Sequence, residues 1–153
     1  MASIKPTFTL TSNKNTATTP GPLSVALSLS ATDTLTVDNV RSEIVTVPFS
    51  ADGDNATLLI DGSAYSSGGA PGTDGGFVWL KNCSAASSTN KIYVGLHPSG
   101  VALDDLAVAV EDQRLCTLFP GEFAWFPFDY QQDIVIDASI AGQKIEYWIF
   151  DRG

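Results

Sequence analysis

His97 is the only histidine in the chain, and it stands in the run Gly95-Leu96-His97-Pro98-Ser99-Gly100. A histidine near a serine is the start of a nucleophilic site. Such chemistry needs a nucleophile, a base that takes its proton and an acid that orients the base. Closeness within a Pro/Gly turn does not supply that geometry, so His97 reads as an exposed turn residue. Two acid pairs, Asp104-Asp105 and Glu111-Asp112, invite general acid–base chemistry. Neighbours in a strand point to opposite faces, which makes them poor partners, and glycoside hydrolysis needs its two carboxyls about 5–9 Å apart in a cleft. Asp52-Gly53-Asp54-Asn55 offers oxygen ligands for calcium without the rest of an EF-hand loop; an Asp-Gly hairpin turn explains the same residues. Cys83 and Cys116 are the only cysteines. Two are too few for a disulfide scaffold, and with one histidine they are too few for a transition-metal site. They read as reduced, partly buried thiols. Gly62, Gly68, Gly69, Gly72, Gly75 and Gly76 fit neither GxGxxG after a strand nor GxxxxGK[ST], and so form a flexible loop rather than a phosphate cradle. The expectation is a protein that is not an enzyme and carries no metal or cofactor.

The elements around these residues are strands. Leu23, Val25, Leu27 and Leu29 alternate with small residues, the period of a half-buried strand, and Leu35 and Val37 continue it after Thr32-Asp33. Ile44, Val45, Val47 and Phe49 make a further strand closed by Pro48, and Thr57 to Ile60 a short one ending at Asp61-Gly62. Phe77 to Asn82, Ile92 to Leu96, Leu115 to Phe119, Phe123 to Phe126, Ile134 to Ile136 and Ile145 to Phe150 follow, separated by Gly, Pro and Asn turns. Leu103 to Val110 fits either a strand or a short helical turn. Strands at this spacing, with no amphipathic helix, predict an all-β fold: an antiparallel β-sandwich, with the jelly-roll among the forms that fit. Residues 1–22 are rich in Thr, Ser, Asn and Pro and read as an extended N-terminal arm or edge strand, leaving 23–153 as the sandwich domain.

The 153 residues suit one core, and only 16% of them are charged, below the roughly 25% of an average globular chain. Seventeen acids against eight Lys and Arg leave a net charge of −9, which repels phosphate backbones and argues against nucleic acid. No stretch approaches ~20 apolar residues, and residues 1–30 lack a continuous apolar run after a basic start; neither a membrane span nor a signal peptide is expected.

Apolar groups are left to explain. In the last strand Ile145, Tyr147 and Ile149 lie on one face and Trp148 and Phe150 on the other. A buried aromatic covers about 150–250 Å², so leaving the second face in water exposes about 300 Å² or more, which monomers rarely tolerate outside functional patches. The run Phe123-Ala124-Trp125-Phe126-Pro127-Phe128 repeats the argument. Phe123, Trp125, Phe126, Trp148 and Phe150, with Phe8 in the arm, are therefore the candidate protein-interface residues, and Gly68, Gly69, Gly75 and Gly76 mark a candidate loop. Trp79 and Trp125 are alternatively a stacking platform for a sugar in a carbohydrate-binding module.

Four pieces of the C-terminal half form a pattern: Lys81-Asn82; Thr89-Asn90-Lys91-Ile92-Tyr93-Val94-Gly95-Leu96; Pro120-Gly121-Glu122-Phe123; and Ile145-Glu146-Tyr147-Trp148-Ile149-Phe150. This pattern, covering under half of the chain, resembles one in small virion structural proteins of tailed bacteriophages, including cyanophages. Its physical content is structural: Pro120-Gly121 sets a turn, and Glu122 can satisfy backbone donors beside it. The resemblance implies a capsid decoration (cement) protein on the virion surface, made in the host cytoplasm. Its partners would be the major capsid protein and itself, as a dimer or trimer, with the Thr-rich start as the arm over the shell. A tail, baseplate or head-fibre component is the alternative from the same resemblance. The glycine-rich stretch at 62–76 has no place in the pattern.

Overall fold

The structure, a computed structural model, describes residues 2–5, 7–11, 28–32, 35–49, 56–65, 75–87, 89–100 and 114–152. The chain separates into two compact units, Met1–Val37 and Asp38–Gly153. Its first four strands are β1 (Ala2–Ile4), β2 (Thr7–Thr11), β3 (Ser28–Thr32) and β4 (Leu35–Thr46). Within the first unit, β1 runs antiparallel to the opening residues of β4, Ala2 opposite Val37 and Ile4 opposite Leu35. β2 pairs with β3 from Thr7–Thr32 to Thr11–Ser28, so it draws its partner from beyond Pro22. The alternation that begins at Leu23 falls outside the described residues until Ser28.

The second unit holds the rest of β4, then β5 (Thr57–Ile60), a 3-10 turn (Gly62–Tyr65), β6 (Gly76–Asn82), β7 (Ile92–Pro98), β8 (Arg114–Leu118), β9 (Phe123–Phe128), β10 (Gln132–Ala138) and β11 (Lys144–Arg152). One sheet has the order β4-β11-β6-β9 and the other β5-β10-β7-β8. The two pack as an antiparallel sandwich, as the strand spacing predicts. The pairing is nested: β7 lies beside β8, β6 beside β9, β5 beside β10 and β4 beside β11. Taken from its middle outward, the unit is one long hairpin.

Strand alternation builds the core. Val78 and Leu80 of β6 and Ile145 and Ile149 of β11 face inward from one sheet; Ile92 and Val94 of β7 and Ile134 and Ile136 of β10 face them from the other. All are at most 4% exposed. Each such side chain contributes roughly 1.5–3 kcal/mol on leaving water. Leu35–Thr46 forms one strand of twelve residues where the sequence suggests two, since no Gly or Pro interrupts it. Pro127 sits inside β9 rather than at its end. β9 is a sheet edge, where a residue without an N–H breaks no ladder bond.

The turn after β8 forms as its residues direct. Gly121 has φ +83° behind Pro120, and the N–H of Glu122 donates to the carbonyl of Phe119 at 2.9 Å, the signature of a type II turn. Glu122 Oε2 accepts the N–H of Phe119 at 2.9 Å, the backbone role expected of it. The quoted sequence pieces then meet at Asn82, which is wholly buried. Its Nδ2 donates to the carbonyls of Asn90 (3.0 Å) and Leu118 (2.9 Å), and its Oδ1 accepts the N–H of Ser84 (2.9 Å). Its main chain exchanges hydrogen bonds with Glu122 and Gly121.

Candidate functional site

The outer face of the β4-β11-β6-β9 sheet is the most unusual surface among the described residues. Because Val78 and Leu80 point inward, Phe77 and Trp79 must point outward. Ladder register carries this across the sheet: Trp148 of β11 lies opposite Trp79 of β6, which lies opposite Trp125 of β9. Phe150 lies opposite Phe77, and Lys81 opposite Phe123 on one side and Glu146 on the other. Three indoles thus form a row across three strands.

Each indole is paired with a phenyl ring. Trp125 stacks with Phe77 (5.7 Å, 11°), Trp79 with Phe123 (6.5 Å, 27°) and Trp148 with Phe150 (6.5 Å, 16°), while Phe150 also meets Trp125 at 5.2 Å. Such contacts add about 0.5–1.5 kcal/mol per pair and hold the band rigid. It remains partly open to solvent: Phe123 is 58% exposed and Trp148 38%. The face continues onto β4. There Glu43 accepts a hydrogen bond from the Tyr147 hydroxyl at 2.9 Å, and Val45 packs on the core, so the even residues point out. Ile44 and Val40 are accordingly exposed. The polar limit of the band is Glu146, which accepts from Trp148 Nε1 at 3.0 Å and from the Cys83 thiol at 3.6 Å.

The structure gathers four of the expected interface residues, Phe123, Trp125, Trp148 and Phe150, on this face. Phe126 does not join them. Its register opposite Val78 turns it inward, where it packs against the core. Phe8 sits in β2 opposite Ala31, in the other compact unit. Phe77, Val40 and Ile44 were missed; the doublet Ile44-Val45, apolar on both faces of one strand, was the available signal.

The loop glycines divide. Gly68 and Gly69 lie outside the described residues. Gly75 and Gly76 are packed rather than flexible: Gly75 has φ +82°, and a Cβ there would meet the Phe128 carbonyl at 2.2 Å, while a Cβ at Gly76 would meet the Phe150 carbonyl at 2.6 Å. Gly62 to Tyr65 form the 3-10 turn, correcting the expectation of one flexible loop from 62 to 76.

His97 is also corrected. It is a strand residue, 4% exposed, because β7 runs through to Pro98 and pairs His97 with Asp133, itself 5% exposed. Asp133 Oδ1 accepts the N–H of Gly62 at 2.9 Å. His97 Nδ1 and Ser99 Oγ are buried without hydrogen-bond partners. The three residue types of a hydrolytic relay are near one another here, but the two atoms that would have to be coupled are not. Asp104-Asp105, Glu111-Asp112 and Asp52 to Asn55 lie outside the described residues.

Both cysteines are free; Cys116 is half-buried and Cys83 exposed, the latter unlike the expectation. Burial raises both thiols above their ordinary value, and the nearby carboxylates of Glu146 (for Cys83) and Glu122 (for Cys116) add to it. Among the described residues no group of three His, Cys, Asp or Glu side chains could hold a metal ion, and no helix is long and apolar enough to cross a membrane. No protein-family model and no curated protein matches the chain.

Proposed function

We propose that the chain is a non-enzymatic virion structural protein of the capsid decoration (cement) kind, which binds the major capsid protein and stabilises the shell. The observation that carries the reading is the aromatic band of six rings on the outer face of β4-β11-β6-β9, bounded at one end by Lys81 and Glu146. A rigid, partly desolvated aromatic patch with a polar rim is the anatomy of a protein-docking surface. The nested strand order supports a jelly-roll, an architecture common among viral capsid and lectin domains. The resemblance of the Asn90–Phe150 region, with the Lys81-Asn82 piece before it, to tailed-phage virion proteins supplies the partner, and those pieces pack together around Asn82. Cement action then follows from multivalency: many copies, each bridging neighbouring capsid subunits, resist internal pressure together.

The sugar-platform alternative draws less support. A pyranose stacks on a free ring face, whereas each indole of the row already gives one face to a phenyl ring.

The test is co-sedimentation of the purified protein with empty capsids of the phage whose genome encodes it. Binding that saturates at a fixed copy number, and that is lost in Phe123→Ser with Trp148→Ala, is the expected outcome. A folded protein that ignores every shell component refutes the reading.

A further inference from the structure

Within the second compact unit the sandwich has four edge strands, β4 and β9 in one sheet and β5 and β8 in the other. An edge strand offers unpaired N–H and C=O groups to strands of other chains, and proteins usually blunt it. Three of the four are blunted here. β9 carries Pro127, which has no N–H to offer. β5 has only four residues and β8 only five, and each bulges, β5 at Leu59 and β8 at Leu115. β4 is twelve residues long and holds neither Pro nor Gly. β1 pairs with it only at Leu35–Val37, and among the described residues no strand pairs with the rest of that edge. Val40, Arg41, Ser42, Glu43 and Ile44 are all exposed.

The direction of the open groups follows from the pairing with β11. Just past the end of β4, the Val47 N–H donates to the Gln143 carbonyl at 2.9 Å. Four residues back, the Glu43 carboxylate meets the Tyr147 hydroxyl, so the same antiparallel register holds. In such a pair alternate residues bond to the neighbouring strand. The odd residues of β4 therefore bond to β11, and the N–H and C=O of Val40, Ser42 and Ile44 point to the open edge. Their side chains lie on the outer face, where Val40 is 41% and Ile44 60% exposed.

The same strand of a second copy fits this edge in both register and charge. Set antiparallel about a two-fold axis at Ser42, Val40 faces Ile44 of the second copy, and Arg41 faces Glu43 of the second copy. The even residues then exchange about six backbone hydrogen bonds. Val40 and Ile44 cover one another, and both charge pairs are opposite in sign, which favours the pairing. Moving the axis to Arg41 or to Glu43 keeps the even residues bonded but sets like charges face to face. Both charges are held in place: Arg41 lies over the Tyr65 ring at 5.7 Å, and Glu43 Oε2 accepts from Tyr147, leaving Oε1 for the arginine.

We propose that β4 pairs with β4 of a second copy, making a two-fold dimer. The two β4-β11-β6-β9 sheets become one, and the aromatic bands share one continuous face that stays open to other partners. The proposal stands apart from shell binding and is tested without any shell component.

Sedimentation velocity of the full chain, combined with hydrogen exchange resolved by residue, decides it. With a Kd of about 10 μM, the wild type is mostly dimer at about 100 μM and mostly monomer at about 1 μM. The amides of Val40, Ser42 and Ile44 exchange about fourfold more slowly at the higher concentration, following the monomer fraction. Those of Arg41 and Glu43, bonded to β11 in either state, do not change. Arg41→Glu and Glu43→Arg are each monomeric, because each sets like charges across both pairs. Mixed one to one they form a dimer again, since every pair is then opposite in sign. A wild type that stays monomeric at about 200 μM, well above that Kd, overturns the proposal and leaves the edge to a strand of another protein. A dimer that persists in Arg41→Glu, or a mixture that stays monomeric, overturns it too. Should either variant fail to fold, the wild-type exchange pattern decides alone: protection that does not single out Val40, Ser42 and Ile44 refutes the pairing.

Discussion

Asn82→Ala tests the junction on which the C-terminal strands converge. The side chain is wholly buried and makes three hydrogen bonds, two from Nδ2 to the Asn90 and Leu118 carbonyls and one to Oδ1 from Ser84. Asn90 and Ser84 are half-buried, so water can replace the amide there at small cost; the bond to the Leu118 carbonyl is buried and has no such substitute. An orphaned buried polar group costs about 1–3 kcal/mol, and two partly compensated ones bring the total to about 3 kcal/mol. Domains are stable by only about 5–15 kcal/mol. With a urea slope of about 2 kcal/mol per molar, the unfolding midpoint should fall by about 1.5 M at unchanged slope. Asn82→Asp is the sharper variant. It keeps the acceptor for Ser84 but aims a carboxylate oxygen at two carbonyls, so it should be less stable than Asn82→Ala at neutral pH. Its introduced carboxyl titrates above the ordinary value in the folded state, and stability should therefore recover as pH falls and the protonated form donates again. A midpoint shift under about 0.3 M for Asn82→Ala, or no recovery of Asn82→Asp in acid, would refute the reasoning.

Other outcomes follow from the same structure. Phe123→Ser should lower the urea midpoint by about 0.5 M, the loss of one stacked pair from a ring that is 58% exposed, while reducing self-association in light scattering or binding to capsids. Burial raises the Asp137 carboxyl above its usual range, against the lowering effects of the Ala138 N–H and Arg114. The folded form therefore keeps its proton to higher pH than the unfolded chain, and this residue's contribution to stability falls as pH rises from the ordinary carboxylate value through the raised one. Asp137→Asn should accordingly stabilise the protein near neutrality and give no gain at about pH 3, below the unfolded value, in thermal melts across pH. Gly76→Ala should destabilise markedly, since its Cβ would lie 2.6 Å from the Phe150 carbonyl in the central ladder; an unchanged melt would show that β6 and β11 can spread apart.

Much of the scaffold was legible because period-two alternation and Gly or Pro turns report local geometry directly: β6, β7, β10 and β11 lie where the pattern put them. Glu122 was legible for the same reason, its partner being three residues away. The two-faced character of β11 correctly set Trp148 and Phe150 on the face opposite Ile145 and Ile149. Phe126 was not separable from Phe123 and Trp125, because FAWFPF is aromatic on both faces and only the register with β6 says which points inward. His97 was misread because Pro98 suggests a turn, whereas it closes the ladder opposite Gln132. The surface depression that Ser63, Ser99 and Tyr130 share was invisible for a deeper reason: the three come from separate turns and share no periodicity.

The nested pairing of the second unit has a consequence for how it is made. Of the four nested pairs β7 and β8 lie nearest in sequence, separated by residues 99–113, whereas β4 must wait for β11, the last of these strands to leave the ribosome. Until then β6 and β4 present open edges flanking the place that β11 will fill, and such edges recruit strands from other chains. High contact order of this kind slows folding, and the indole of Trp148 joins its neighbours only in the final closure. The surface most suited to sticking is therefore completed last, which limits the time that a half-made chain can misassemble through it.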